Sequence, residues 1–405
     1  MTRHILWSRR TFLQRLGCFS GIGAIRLQTP WSIVKGPKPL QGLDSLGDRT
    51  GPLSAYVASW KHGIQVFSVE KHGWELLQTV PCDKPSCLAF HPSRKFMYAV
   101  NEIDEYEGLP TGSVEAYSID GRDGRPVLLN RQPLSLSATA PGYVAVSPDG
   151  SRLIVAVHGG GAYNVIPLRA DGSLERVSGI LKEVGSGPDP VRQHASHPGM
   201  MLFDTTHHHL VSADLGSDSL NVFTLAEGGL DVAHRRGSEP GSGPRFIELH
   251  PSGRILFVMN ELNASISCFG YDGASGQILD RLYHQSLRTP AYLGTAIVNT
   301  MAMHPSGNLL YTSCSDPNAT SSASSRIATW NIDSATGKLN RIQASDRWIR
   351  CSYIERMVLA QNALFVLSQP EGIFRVDIDP STGLLEDAVQ VANVSAPKSM
   401  LFRYL

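Results

Sequence analysis

Short runs in which apolar and polar positions alternate recur along the chain, and each is followed by a turn and a second apolar run. The alternation has a period of two residues, which is typical of half-buried β-strands. Several of the turns read Pro-Ser-Gly or Pro-Asp-Gly, and Pro and Gly suit successive corners of a tight turn. The pattern therefore predicts β-hairpins. Five of them align without a gap, at residues 85–102, 141–158, 198–215, 244–261 and 298–315.

A third apolar run and a fourth, more polar run follow most of these hairpins, so each repeating unit contains four strands. The third run reads "SVEAYSI" after the first hairpin and "RIATWNI" after the fifth. Successive hairpins start 46 to 57 residues apart. That period is typical of the four-stranded blades of a β-propeller. A parallel β-helix, the competing all-β repeat, has a much shorter period.

Two further units, the second of them split between the two ends of the repeat, complete the count. Residues 355–391 form a degenerate sixth unit. The C-terminal "PKSMLFRYL" resembles a first strand without successors, and residues 55–80 resemble a unit that lacks its first strand. Joining these pieces closes a ring and removes exposed sheet edges. We therefore predict an all-β fold over residues 53–405, a seven-bladed β-propeller with four antiparallel strands per blade that is closed by the C-terminal strand.

Composition narrows the possible partners. The 405 residues include 36 basic and 36 acidic side chains, so the formal net charge is zero. Nucleic acids and acidic membrane surfaces call for a basic excess, so neither is an expected partner. No run reaches the roughly 18 consecutive apolar residues of a membrane-spanning helix.

The N-terminal segment has the features of an export signal. Arg9 and Arg10 precede Phe12 and a short, weakly apolar run. This arrangement resembles the twin-arginine signal, which is read by a receptor and removed. We predict a signal peptide at residues 1–30 and a linker at residues 31–52, and hence a periplasmic or extracellular protein. A disordered basic tail is the alternative, and it would leave the protein in the cytoplasm.

The hairpin geometry brings candidate functional residues together. In an antiparallel hairpin, the start of the first strand and the end of the second lie at the same end. Arg245 and Glu261 hold these places in the fourth hairpin, so we expect them at one rim of the ring, near its central channel. The corresponding positions of the other units should lie at the same rim, and they are Ser86, Gly142, Gly199, Asn299, Lys398, Glu102, His158, Leu215 and Ser315.

Four stretches carry a resemblance to a known family. They read "AVNEIDEYEG" (99–108), "GPDPVRQHASHPG" (187–199), "SADLGSDSLNVF" (212–223) and "GPRFIELHPSGRILFVMNEL" (243–262). Together they resemble the seven-bladed lactonase family, which groups propeller-type 6-phosphogluconolactonases with carboxymuconate-lactonizing enzymes. The resemblance covers roughly residues 53 to 405.

The resemblance implies an active site made of a histidine, an arginine and a glutamate on this rim. Arg245 and Glu261 match the family pattern position for position. The family commonly reads His-Pro-His at the entry to blade three, where this chain reads His197-Pro198-Gly199. Either His197 replaces the missing histidine, or the activity has changed.

The chemistry of lactone hydrolysis fits these residue types. Glu or His can move protons, and Arg binds anionic groups through two parallel hydrogen bonds. The predicted catalytic residues are Arg245, Glu261 and His197. Residues expected to bind the substrate are Lys398, Glu102, His158, Asn299 and Asn260. A salt bridge between Arg245 and Glu261 that merely lines the channel is the structural alternative.

The sequence thus predicts a lactonase-like hydrolase that acts on a sugar-type or carboxylated lactone and uses no cofactor and no metal. A carboxymuconate-type cycloisomerase is one alternative. A non-catalytic exported propeller that binds a ligand or a protein on the same rim is the other.

Two further features have mainly structural interpretations. The three consecutive histidines at 207–209 occupy a hairpin turn, and adjacent residues cannot all face one ion, so an exposed turn is favoured over a metal site. Cys82 and Cys87 flank a loop containing Pro85. They could form a disulfide in an oxidising compartment or remain free thiols, and the sequence leaves both open.

Overall fold

The computed structural model describes residues 53–70, 73–288, 297–315, 325–342, 347–349, 351, 353–369 and 372–404. These residues form seven antiparallel sheets arranged as the blades of a propeller, which confirms the predicted fold class. No described residue belongs to a helix long and apolar enough for a membrane crossing. The predicted signal peptide and linker lie outside the described residues.

Strands are numbered along the chain, and blades are numbered from the hairpin at 85–102. Blade seven contains β1 (Leu53–Ser59), β2 (Gly63–Ser68) and β3 (Glu75–Val80). Blade one consists of β4 (Pro85–Phe90), β5 (Phe96–Asn101), β6 (Ser113–Ile119) and β7 (Pro126–Pro133). Blade two consists of β8 (Pro141–Val146), β9 (Arg152–Val157), β10 (Ala162–Pro167) and β11 (Gly179–Lys182). Blade three consists of β12 (Pro198–Phe203), β13 (Leu210–Asp214), β14 (Ser219–Ala226) and β15 (Gly229–Gly237).

The remaining blades follow the same order. Blade four consists of β16 (Pro244–Leu249), β17 (Ile255–Asn260), β18 (Ser265–Asp272) and β19 (Gln277–Ser286). Blade five consists of β20 (Ile297–Met303), β21 (Leu309–Ser315), β22 (Ser325–Ile332), β23 (Leu339–Arg341) and β24 (Arg347–Ile349). Blade six consists of β25 (Tyr353–Ala360), β26 (Ala363–Gln369), β27 (Gly372–Ile378) and β28 (Leu385–Ala392), and the last strand is β29 (Pro397–Tyr404).

The ring closes as predicted from the two incomplete units. Strand β29 pairs antiparallel with β1, from Leu53 opposite Tyr404 to Ser59 opposite Pro397. The Ser59 hydroxyl also donates a hydrogen bond of 2.7 Å to the Ser395 carbonyl. Blade five departs from the four-strand pattern because both β23 and β24 pair with β22, so its outer edge is divided between two short strands.

The hydrophobic core lies between neighbouring blades rather than at the centre of the ring. Each pair of adjacent sheets encloses one cluster of buried side chains. The cluster between blades one and two includes Tyr98 and Val155, and the cluster between blades six and seven includes Val57 and Phe365. Because both faces of the inner strands are packed in this way, the ring holds the strand ends at fixed positions.

Every inner strand contains a bulge near its start. In blade four, Pro244 pairs with Asn260 and Phe246 pairs with Met259, so Arg245 is the extra residue. A β-bulge redirects a side chain and is frequent beside functional sites. The register shifts of all seven inner strands fall at corresponding places, namely Ser86, Gly142, Gly199–Met200, Arg245, Asn299–Thr300, Glu355 and Lys398.

Candidate active site

A cavity of about 200 Å³ lies at the rim where the inner strands begin. Most of the bulge positions line it, namely Ser86, Gly142, Gly199, Arg245, Glu355 and Lys398. The ends of second strands contribute Glu102, His158 and Leu215. All of these positions except Glu355 are ones that the hairpin argument from the sequence assigned to a common rim.

Arg245 and Glu261 form an ion pair at this site. The Arg245 guanidinium donates through Nη1 to Glu261 Oε2, and Arg192 donates through Nη2 to Glu261 Oε1. Burial alone would raise the pKa of Glu261, but the two guanidinium groups outweigh it and hold that pKa below its usual value. Burial would likewise lower the pKa of Arg245, and Glu261 reverses this and raises it. Both groups are therefore charged at neutral pH.

His197 lines the same cavity and is held by a backbone contact. Its Nδ1 lies 2.9 Å from the carbonyl oxygen of His158. A carbonyl oxygen only accepts hydrogen bonds, so Nδ1 carries the proton and Nε2 of the neutral ring keeps a free lone pair. The backbone N–H of His197 donates to Asp214 Oδ1 at 2.8 Å. The same carboxylate accepts from the backbone of Gly216 and so caps the following turn.

His158 supports this arrangement by stacking. Its ring lies 4.8 Å from that of His197, with an interplanar angle of 27°. Burial, and then the charges of Arg245 and His197, lower the pKa of His158 to about 4. His158 is therefore neutral at physiological pH. The position after Pro198 is Gly199, where a Cβ atom would lie 3.0 Å from the carbonyl oxygen of Arg245.

A second charged group lies across the cavity. Lys398 Nζ is 2.8 Å from Glu355 Oε1, and it also lies 4.2 Å from the centre of the Trp60 ring. Glu355 Oε2 accepts a hydrogen bond of 2.8 Å from Gln369. Burial raises the pKa of Glu102, although Lys398 partly opposes this. Lys398 and Glu102 thus lie where the sequence placed them, on the cavity wall.

The two asparagines expected to bind substrate have different surroundings. Asn260 is fully buried, and its Nδ2 donates to the hydroxyls of Ser265 and Ser267 at 3.0 Å each. Asn299 is 2% exposed and donates to the Ser315 hydroxyl at 2.8 Å. The structure places neither side chain on the cavity wall, so their contacts indicate that they tie strands together inside blades four and five.

The remaining candidate features are structural. Cys82 and Cys87 are buried free thiols, so the disulfide alternative is not realised. The triple histidine does occupy a turn, and His209 Nδ1 contacts the buried Asp204 carboxylate at 3.0 Å. Across the described part of the chain, no three His, Cys, Asp or Glu side chains are grouped so as to hold a metal ion.

Comparison with known proteins identifies the family. The family model described as "Lactonase, 7-bladed beta-propeller" matches residues 53–402. The chain belongs to this lactonase family. It is 27% identical over 230 residues to the 6-phosphogluconolactonase of Bacillus subtilis (strain 168), a match that covers 56% of this chain and 64% of that protein. The chain thus spans slightly less than two thirds of the length of this relative.

Solved structures agree with the lactonase fold. The periplasmic gluconolactonase of Pseudomonas aeruginosa superposes with a TM-score of 0.76 and 23% identity, covering 87% of this chain and 99% of that one. A putative 6-phosphogluconolactonase of Bacteroides fragilis also gives a TM-score of 0.76 and 23% identity, covering 88% and 100%. At this level of identity the likeness establishes the fold alone.

Four residues that line the cavity were not predicted from the sequence, namely Tyr143, Arg192, Glu355 and Arg356. Arg192 lies in the loop before β12, and no strand pattern predicts where a loop side chain points. Glu355 holds the bulge position of blade six. The alignment would have shown this if Ile354 had been matched to the first residue of the other hairpins, which is a proline in four of the five.

Proposed function

We propose that this protein hydrolyses a lactone in the rim cavity. Family membership supports this reaction class. One observation carries the proposal: His197 presents an available Nε2 in the same cavity as the Arg245 guanidinium. A base beside a fixed cation is what the addition of water to an ester carbonyl requires. The names of the relatives, 6-phosphogluconolactonase and gluconolactonase, point to a sugar-type lactone.

In the proposed reaction, His197 acts as the base. Nε2 takes a proton from water while the water oxygen attacks the lactone carbonyl carbon. When the tetrahedral intermediate collapses, the bond between that carbon and the ring oxygen breaks. The ring oxygen then leaves with the proton held by His197, and the product is an open hydroxy acid. The contact from Nδ1 to the His158 carbonyl keeps the ring in the required tautomer.

Arg245 stabilises the negative charge that develops on the carbonyl oxygen. Its guanidinium has five N–H donors, and the contact with Glu261 leaves others for this oxygen. Glu261 acts as a positioning residue, since its carboxylate holds both Arg245 and Arg192. We do not assign proton transfer to Glu261, because a carboxylate with a lowered pKa is a weak base.

The alternatives receive less support. A binding protein without catalytic activity does not need an oriented histidine beside an arginine. A cycloisomerase would use related groups on an unsaturated diacid, and no observed contact selects such a substrate over a lactone.

We further propose that the protein is exported by the signal containing Arg9 and Arg10. The periplasmic location named for the Pseudomonas aeruginosa protein supports this proposal. Cell fractionation should find the Arg9→Lys, Arg10→Lys double variant folded in the cytoplasm, because only the targeting signal has changed. Undiminished export of that variant would contradict the proposal.

The activity is tested by incubating the purified protein with a panel of sugar, phosphosugar and aryl-fused lactones. The release of protons measures hydrolysis of each lactone. His197→Gln should lower kcat by about 100-fold or more with little change in KM, because general base catalysis is lost. His194→Gln is the matched control. The His194 ring lies 4.9 Å from that of His197, but it is exposed and does not line the cavity. This variant should therefore keep its activity.

Arg245→Lys separates catalysis from structure. Lysine keeps the charge but loses the planar fork, so activity should fall by about 10-fold or more while the melting temperature changes little. A pair that only stabilises the channel predicts retained activity and a lower melting temperature. The absence of turnover on every lactone in the panel would overturn the proposed function.

A further inference from the structure

Arg356 is a cationic side chain that blade six contributes to the cavity wall, and its environment is unusual. It follows the bulge residue Glu355 on β25 and lines the cavity. The guanidinium carbon lies 5.2 Å from the centre of the Tyr143 ring, which belongs to blade two on the other side of the channel. The aromatic face fixes the plane of the guanidinium without neutralising its charge.

The other cations on the cavity wall all have carboxylate partners. Arg192 and Arg245 share Glu261, and Lys398 pairs with Glu355. Among the described residues, by contrast, no carboxylate lies within salt-bridge distance of Arg356. A guanidinium taken out of bulk water is costly unless an anion compensates it. Arg356 is therefore a cation of the cavity wall whose charge no described carboxylate neutralises.

Two nearby carboxyl groups do not remove this charge. Glu355 is already bound by Lys398 and Gln369. Glu248, on the inner strand of blade four, is close enough for Arg356 to influence its ionisation. Burial nevertheless raises the pKa of Glu248 to about 8, and Arg356 opposes this only in part. At neutral pH most Glu248 is protonated and uncharged.

We propose that Arg356 is a specificity-determining residue that binds an anionic substituent of the substrate, either a carboxylate or a phosphate. The planar guanidinium matches both groups through paired N–H···O bonds. This inference rests on the proposed lactone hydrolysis, and it assigns the anion to Arg356 instead of Arg245. Arg245 is then free to stabilise the carbonyl oxygen.

The test compares lactones that differ only in charge. Hydrolysis of glucono-1,5-lactone and of its 6-phosphate is measured for the wild type, Arg356→Met and Arg356→Lys, and a carboxylate-bearing lactone forms a third arm. Arg356→Met should lower kcat/KM for the favoured anionic lactone by about 30-fold or more, since a desolvated charge contact is lost. For the neutral lactone the change should stay within about threefold, because no charge contact is involved. The arm that loses most identifies the carboxylate or the phosphate as the bound group.

Arg281→Met is the matched control, because Arg281 lies on the outer strand of blade four and pairs with the exposed Glu239. It should leave the selectivity unchanged. Arg356→Lys keeps the charge, so it should retain part of the preference for the anionic lactone. That retained preference would show that the site of this variant still folds. An equal loss on neutral and anionic lactones, or no loss on either, would overturn the assignment of Arg356.

A direct binding measurement separates this inference from the proposed activity. Calorimetry would compare 6-phosphogluconate with gluconate on the same variants. Binding of the phosphorylated acid that depends on Arg356 would support the assignment even if no lactone is hydrolysed. Hydrolysis combined with anion binding that is unaffected by Arg356→Met would sustain the activity and overturn the assignment.

Discussion

Among single residues, Glu261 has the most consequential position because one carboxylate compensates two arginines. The ion pair with Arg245 is mostly shielded from water, since the Glu261 side chain is only 10% exposed. Removing one member of such a pair leaves an uncompensated charge, which costs far more than loss of a surface salt bridge. Measurements of activity in Glu261 variants should therefore be accompanied by their melting temperatures, because loss of the pair lowers stability as well.

Glu248 makes a pH-dependent contribution to stability. Burial raises its pKa to about 8 in the folded state, above the value of an unfolded chain. The folded protein therefore holds more protons than the unfolded chain between about pH 4.5 and pH 8, and the free energy of unfolding falls as the pH rises through this window. Glu248→Gln should then raise stability at pH 8.5 by on the order of 1–3 kcal/mol and change little at pH 4.5.

Melting curves at the two pH values measure this difference. Glu227→Gln, in an exposed turn, is the control and should show no such pH dependence. A difference between wild type and Glu248→Gln that is the same at both pH values would show that the pKa of Glu248 is not raised.

The predictability of individual site residues followed from their place in the repeat. Arg245, Glu102 and Lys398 occupy repeated positions, so strand alternation and hairpin direction were sufficient to bring them to one rim. Asn260 is a neighbour of Glu261 in sequence, but the alternation of a strand turns its side chain into the blade. Arg192 depends on the conformation of a loop, which no periodic pattern describes.

At the scale of strands, buried tyrosines link some blades to the next. The Tyr98 hydroxyl of blade one donates to the Gly172 carbonyl of blade two at 3.1 Å, and Tyr311 of blade five donates to the Gly383 carbonyl of blade six at 2.9 Å. Both side chains are fully buried in second strands. The sequence alignment placed them at the same repeat position, but the turn glycine that accepts each bond became visible only in the folded ring.

Tyr98→Phe should lower the free energy of unfolding by about 1–2 kcal/mol, because a buried carbonyl loses its donor while the ring still packs. Phenylalanine itself fits this position, since Phe257 occupies it in blade four. Denaturant unfolding measures the effect. Tyr283→Phe is the control: its hydroxyl contacts Gln285 at a partly buried site where water can substitute, so the loss should be smaller. Equal losses in both variants would argue against the role of the link between blades.

The histidines of the His-Pro-Ser turns also connect blades. His91 Nε2 lies 3.0 Å from the Gly150 carbonyl, and His250 Nε2 lies 3.0 Å from the Gly307 carbonyl. These contacts cross to the next blade at hairpin turns, at the opposite end of the inner strands from the cavity. Histidine content alone therefore does not indicate chemistry in this fold, and the strand end on which a histidine lies distinguishes His197 from His91 and His250.

At the scale of the whole molecule, the ring could be predicted because the chain contains two complementary incomplete units. The missing first strand near the N-terminus and the surplus strand at the C-terminus have only one arrangement that leaves no open edge. The divided outer edge of blade five could not be predicted in this way. Outer strands are polar and exposed on one face, so their pattern carries less information about where pairing begins and ends.

Ring closure should be essential to the stability of the whole propeller. Deleting residues 396–405 removes β29 and, with it, the apolar side chains of Met400 and Phe402 that pack between blades six and seven. The deletion also exposes the edge of β1. We expect aggregation or a large loss of cooperative stability, because an unpaired, apolar edge strand recruits other chains. Solubility and thermal melting measure the result.

A circular permutant provides the matched control. It carries residues 396–405 joined by a short Gly-rich turn to residue 53, which lies opposite Tyr404 in the native pairing. The permutant restores the same strand from the other end of the chain, so it should recover solubility and melting temperature. A truncated protein that stays soluble and melts like the wild type would show that the seventh blade does not depend on its C-terminal strand.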